Sequence, residues 1–360
     1  MASAQPHADT PEFRERLCRS LVEGLLEEVE LHLIEVRSAQ FLANHPWPPG
    51  KRLRPMVFLL SNLSIQAADP GAPSANGRES RLAAAIELLH EASLVHDDIV
   101  DRSPTRRGRP SVHTANGDGM AVLIGDYMVF RGMKLILDSA TSLQDVALAR
   151  ELTDTGLCIA HGEIDQLHRR LNCDDARIGF DEYLDVISHK TAGFFAGCAE
   201  AGAALAGAPA PLRRHYRRFG MNLGLTFQMV DDVMDVFGDS DKARKTLRND
   251  LAEGTVTLPV IHAYEAFPTD VTLLKFSSGE TLGERERTSL YRLLRDEEIL
   301  RRCADSVRRY ASLAERELDA MPANIFRMGL ADLLAYVTRC SWGGLEDALG
   351  EPPAGAGSDG

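Results

Sequence analysis

Lysine is scarce in this chain: six positions (51, 134, 190, 242, 245 and 275) against 34 arginines. The skew makes each retained lysine a better candidate for a specific role. Basic charge as a whole is in deficit, with 53 acidic residues to 40 basic ones and a formal charge of −13. Such a chain repels a phosphate backbone, which excludes general nucleic-acid binding by charge neutralisation, although a polyphosphate can still bind locally. The six cysteines (Cys18, Cys158, Cys173, Cys198, Cys303 and Cys340) have neither CxxC nor CxxH spacing. That argues against a zinc site or a disulfide framework and suits a reducing, cytoplasmic compartment with structural thiols. The opening MASAQPHADTPEF lacks the basic start and apolar core of a secretory signal and is expected to be a flexible tail. Long apolar runs are missing as well. The weakly polar stretch from Thr191 to Leu212 is mostly Ala and Gly, is interrupted by Glu200 and has two prolines near its end, which predicts a buried helix and no integral membrane segment. Strict apolar–polar alternation, the mark of a half-buried strand, is not found.

What is present is helical periodicity. The chain has 360 residues, 44% of them apolar, enough for a substantial core. Val22, Leu25, Leu26, Val29, Leu33 and Val36 form the stripe of a long first helix. Comparable patterns run over 50–65, 80–100, 118–138, 143–168, 181–206, 212–237, 285–296, 299–318 and 325–338. The breaks carry loop chemistry: HPWPPG before Lys51, ADPGAPSANG at 68–77, SPTRRGRPS at 103–111 and FGDSD at 237–241. None is long enough to separate two domains, and no solenoid repeat is evident. The prediction is one all-α domain over 13–350, a large antiparallel helical bundle, with tails over 1–12 and 351–360.

Two aspartate clusters stand out against this background. LLHEASLVHDDIVD puts Asp97, Asp98 and Asp101 at the end of an otherwise apolar helix, and FQMVDDVMDVFGD does the same with Asp231, Asp232 and Asp235. Each is a DDxxD, and on a helix residues i and i+4 share a face, so the carboxylates crowd together. A helix C-terminus already carries partial negative charge, so three aspartates there are unfavourable unless a cation binds them. Carboxylates on a rigid scaffold, with room for water and phosphate oxygens, suit Mg²⁺. A lone DDxxD can be a solvated helix end; two copies, each followed by basic residues, point to metal-dependent diphosphate chemistry. Arg106 and Arg107 follow Asp97 by nine and ten residues in a Pro/Gly-containing loop, and guanidinium forks match phosphate oxygens. Lys51 and Arg54 in GKRLRP, Lys190 with Thr191, and Lys245 beyond the second cluster complete the cationic candidates.

With these residues in place, the sequence resembles the trans-isoprenyl diphosphate synthases, the polyprenyl synthetase family, over about residues 50–262. The blocks occur in order: GKRLRP at 50–55, ELLHEASLVHDDIVD at 87–101, RRGRPSVH at 106–113, GEIDQL at 162–167, HKTAGFF at 189–195, FQMVDDVMD at 227–235 and NDLAEGTVTLP at 249–259. The resemblance implies the isoprenoid synthase type of helical bundle, a homodimer, and condensation of isopentenyl diphosphate with an allylic diphosphate. It implies that Lys51, Arg54, His90 and Arg107 hold the diphosphate of isopentenyl diphosphate. Asp97, Asp101 and Asp231, supported by Asp98, Asp232 and Asp235, would form the clamp for three Mg²⁺ ions on the allylic diphosphate. Arg106, Lys190, Thr191, Gln228 and Lys245 would make the remaining contacts to that leaving group.

One departure is Thr255, where the family frequently has a lysine after DLxEG; losing a cation there weakens the leaving-group site. It also leaves room for a non-catalytic subunit of a heteromeric synthase, while the shared bundle leaves room for a class I terpene cyclase. The second DDxxD and the isopentenyl diphosphate site count against both. Four and five residues before Asp97 stand Ser93 and Ala92, small side chains where family members of farnesyl length typically carry an aromatic one. They predict an all-trans product of geranylgeranyl length or longer, or else serve only tight helix packing.

Overall fold

The computed structural model describes residues 11–39, 41, 42, 45, 47, 50–68, 77–172, 178–237 and 256–339. It is all-α apart from one short hairpin. The chain divides into two compact units, one comprising 1–159, 193–220 and 316–331, the other 160–192, 221–315 and 332–360.

The first unit is built on α1 (Pro11–Arg37), α2 (Leu53–Gln66), α3 (Arg78–Val100), a hairpin of β1 (Thr105–Arg106) and β2 (Arg109–Pro110), α4 (Val112–Asn116) and α5 (Asp118–Asp138). It also takes in the first part of α6 (Leu143–Asn172), all of α8 (Gly193–Leu205) and the start of α9 (Ala210–Phe237). In α2, Pro55 sits in the first turn, where its missing N–H costs nothing. The apolar stripe read from the sequence is the buried face of α1: Val22, Val29, Leu33 and Val36 are all in the core. Close approach fixes α3 against α5. A Cβ on Gly132 would lie 3.2 Å from Leu89 Cγ, and one on Gly125 would collide with the His96 ring at 2.2 Å. Only a residue without a side chain lets these backbones pass so near.

The second unit contains α7 (Phe180–Ile187), a π-helical turn over Ser188–Ala192, α10 (Leu258–Ala266), α11 (Val271–Ser277), α12 (Glu284–Leu294) and most of α13 (Glu297–Leu318). Its core joins Tyr183, Met229, Val233, Ile261, Leu290, Ile299 and Cys303. α14 (Ile325–Arg339) closes the described chain.

Several expectations are corrected. The stretch predicted as one helix over 181–206 is interrupted by the π-helical turn, whose extra residue per turn is too brief to disturb the apolar period. Helices α10 and α11, of nine and seven residues, were not foreseen because they contain too few turns to show a period. α1 begins at Pro11, inside the stretch read as a tail. The hairpin, two residues per strand, is too short to alternate. Among the described residues no helix is long and apolar enough to cross a membrane, and Cys198 and Cys303 are buried free thiols.

Candidate active site

In the first unit the site forms where α3 runs out. Successive helical residues are about 100° apart, so Asp97 and Asp101 lie on nearly one face and Asp98 is turned away from it. Asp98 is 3% exposed, and both its carboxylate oxygens accept from Arg106 Nε, at 2.9 and 2.8 Å. Asp97 and Asp101 are only half-buried. The second aspartate of this motif therefore holds Arg106, and the first and fifth remain accessible. Arg106 opens the hairpin, in which Thr105 pairs with Pro110 and Arg106 with Arg109. The connecting Arg107 and Gly108 have φ of 49° and 76°, the positive pair that a type I′ turn requires. Arg107 is exposed at its tip. Arg52 and Arg102 also have positive φ, so every non-glycine residue of this kind among those described is an arginine flanking the site.

Lys51 is exposed on the segment leading into α2. Arg54 Nη1 donates to His90 Nε2 at 3.0 Å, and its guanidinium lies over the rings of Phe194 and Phe195 at 5.3 and 4.7 Å. Because arginine can only donate, His90 accepts at Nε2 and carries its proton on Nδ1. Burial, followed by the charges of Arg54, Arg106 and Arg107, holds the His90 pKa well below its usual value, so the ring is neutral. Ala92 is fully buried on the face of α3 that also carries Ala85, Leu89 and His96, facing α5. Ser93 is half-buried, with its hydroxyl donating to the His90 carbonyl at 2.8 Å.

The second unit repeats the pattern on α9. Asp231 is exposed and Asp235 half-buried, while Asp232 is buried and receives three hydrogen bonds. The donors are Tyr183 Oη at 2.7 Å, Gln228 Nε2 at 3.0 Å and the Leu258 amide at 3.0 Å. Burial pushes its pKa up to about 6 against these bonds. Gln228 Oε1 in turn accepts from Thr191 Oγ1 at 2.8 Å. Lys190 stands on the π-helical turn with Nζ 3.0 Å from Glu163 Oε1. A Cβ on Gly162 would be 2.9 Å from the Lys190 nitrogen, so α6 presses directly on that turn. Lys245 and Thr255 lie outside the described residues.

Sequence reasoning missed four residues that organise these sites: Arg52, Glu87, Tyr183 and Glu163. Glu87 and Glu91, four apart on a largely apolar helix, were the one available signal, since a buried acid demands a partner. Among the described residues no three of His, Cys, Asp and Glu come together to hold a metal by themselves. The accessible carboxylates are oxygen donors at helix ends that leave most of a coordination shell to water and phosphate, which fits Mg²⁺.

The polyprenyl synthetase family profile matches residues 38–293. The chain is 34% identical over 285 residues to an all-trans-nonaprenyl-diphosphate synthase (geranyl-diphosphate specific) of Rhodobacter capsulatus, covering 79% of this chain and 83% of that one. It is 32% identical over 288 residues to a chloroplastic solanesyl diphosphate synthase of Arabidopsis thaliana, covering 80% of this chain and 66% of that one. A crystal structure of a Caulobacter crescentus polyprenyl synthase, complexed with calcium and isoprenyl diphosphate, matches with a TM-score of 0.76 at 29% identity, over 92% of this chain and 98% of that one. By its aspartate motifs, its helical fold and these matches, the chain belongs to the polyprenyl synthetase family of prenyltransferases.

Proposed function

We propose that this chain condenses an allylic diphosphate with isopentenyl diphosphate, repeatedly, to an all-trans polyprenyl diphosphate of medium or long chain. The observation that carries the reading is the accessibility of the first and fifth aspartates in both motifs while each second aspartate is buried among partners. The relatives above are named for nonaprenyl and solanesyl products, which supports the longer product, whereas fully buried Ala92 lies on the face of α3 packed against α5.

The family is Mg²⁺-dependent; when bound, three Mg²⁺ ions would neutralise the diphosphate that leaves. Asp97, Asp101 and Asp231 would hold the metal, supported by Asp98, Asp232 and Asp235. Arg106, Lys190, Thr191, Gln228 and Lys245 bind the departing diphosphate, with Arg106 aimed by Asp98 and Gln228 by Asp232. Negative charge grows on that group as the allylic C–O bond breaks, so cations fixed in advance lower the barrier. Lys51, Arg54, His90 and Arg107 hold the other diphosphate, which stays attached throughout. The isopentenyl double bond attacks the allylic carbon, and the proton then lost passes to the released diphosphate, so no side-chain base is needed. A cytoplasmic setting agrees with the dispersed thiols.

The chain acts as a homodimer in this reading. Met120, Leu123, Tyr127, Phe130 and Leu137 follow the three- and four-residue steps of one face of α5, which Lys134 interrupts, and Leu123, Phe130 and Leu137 are 63%, 69% and 63% exposed. An apolar stripe of that spacing fits a second copy of the same helix.

The experiment is incubation of the purified chain with Mg²⁺, labelled isopentenyl diphosphate and allylic primers, with products sized by mass spectrometry. A ladder reaching geranylgeranyl length or beyond is expected, and Asp97→Ala or Asp231→Ala should abolish it without unfolding the protein. Product formation without isopentenyl diphosphate, or near-normal turnover in either variant, would overturn the reading.

A further inference from the structure

Glu87 is 3% exposed in the middle of α3, beneath residues that this reading assigns to an anion. A carboxylate there is expensive to bury, and its charge opposes the binding of a diphosphate. Its partners explain its presence. Arg52 donates from Nη1 to Glu87 at 2.5 Å and to Glu91 at 3.0 Å, and from Nε to Glu30 at 2.5 Å. Arg37 from α1 also bonds Glu91. One guanidinium thus ties α1 and α3 to the segment entering α2, and it does so from a left-handed backbone position, φ 53°, that arginine adopts only under constraint. Lys51 precedes Arg52 directly, and Arg54 follows two residues later. Arg107 joins from the hairpin: its Nη1, Arg52 Nη1 and Glu87 Oε1 each lie 3.2 Å from the point a Cβ on Gly50 would occupy. Glu87 is also the leading charge acting on the buried Arg54 guanidinium.

We propose that Glu87, acting through Arg52, is the positioning residue of the isopentenyl diphosphate site, fixing the spacing of Lys51, Arg54 and Arg107 without touching substrate. The inference rests on the function proposed above and adds a residue to it. It makes a prediction opposite in sign to simple electrostatics. Removing a negative charge below an anion site should tighten binding if Glu87 acts only by its field. If Glu87 acts by geometry, its removal releases the arginines and binding weakens.

The test is steady-state kinetics of the full chain with Mg²⁺, varying each diphosphate separately, beside thermal unfolding. Glu87→Gln is expected to raise the KM for isopentenyl diphosphate roughly tenfold, the scale of one lost charge-assisted hydrogen bond. The KM for the allylic substrate should stay within about twofold, because that substrate uses other residues. Arg52→Lys, which keeps the charge and loses the fork, should show the same split. Should Glu87→Gln fail to fold, Gly50→Ala serves instead: it keeps every partner, and its methyl group crowds both arginine heads. An unchanged or lowered KM for isopentenyl diphosphate in the folded variants overturns the inference, as does a parallel rise of both KM values with a fall in Tm, which marks a purely structural role. Failure of the underlying reading shows separately, as wild-type protein that does not condense the two substrates at all.

Discussion

At Arg107, backbone and side chain make opposite demands. A type I′ turn favours glycine or asparagine, and arginine at φ 49° costs about 1–2 kcal/mol over a relaxed residue. Arg107→Gly should therefore leave stability unchanged or raise it by about 0.5–1 kcal/mol, the gain in strain being offset by unfolded-state entropy. It should at the same time raise the KM for isopentenyl diphosphate. Urea denaturation beside kinetics checks this, and a fall in stability would make Arg107 a structural residue. His90 gives a pH test. Its folded pKa lies well below the ordinary histidine value, so below about pH 6.5 the unfolded chain takes up a proton that the native ring refuses. Stability contributed by this site is then lost as pH falls. His90→Gln does not titrate, so its stability relative to wild type should rise by up to about 1.4 kcal/mol per pH unit below 6.5. Urea midpoints at pH 7.5 and 5.5 measure it; parallel shifts in the two proteins would contradict a neutral His90.

Among the elements, the π-helical turn has the most direct bearing on chemistry. It carries Lys190 and Thr191, and it is packed against Gly162 of α6 so closely that no Cβ fits. π turns cost hydrogen-bond geometry and occur mostly at functional sites. Gly162→Ala should push α6 off this turn, lowering stability by about 1–3 kcal/mol and reducing kcat through a displaced Lys190. Calorimetry and single-turnover rates would show both effects together; full activity with a lowered Tm would separate the packing from the site. The same logic explains why GEIDQL was legible as a block but not as a device. The glycine is needed for residues that begin 26 positions later, and no local pattern expresses that.

For the molecule as a whole, the formal charge of −13 is compatible with diphosphate binding because cations are concentrated locally, at the residues proposed to bind the substrates. The α5 stripe leaves large apolar side chains exposed on one helix face, Leu123 and Phe130 among them. If the proposed homodimer forms through this stripe, Phe130→Glu combined with Leu123→Glu should give a monomer by light scattering at micromolar concentration, beside a dimeric wild type. A variant that stays dimeric would place the interface elsewhere. The pairing cannot be read from one chain's periodicity, since a stripe at heptad spacing faces a core as readily as a partner; exposure distinguishes the two.

The sequence by itself determined the all-α class, nearly all the long helices, both aspartate clusters and their cationic complement, because helical period and charge are local properties. It also determined the angle between neighbouring aspartates, since helix geometry sets about 100° between successive residues. Which of them would face inward was decided only by tertiary structure. Asp98 is buried by Arg106 from the hairpin, and Asp232 by Tyr183 from α7 and the Leu258 amide opening α10. Arg52 and Glu87 are likewise 35 residues apart and meet only in the folded chain. A helix repeats its geometry whatever it packs on, but a buried charge takes its meaning from the partner that satisfies it, and that partner is supplied by a distant part of the chain.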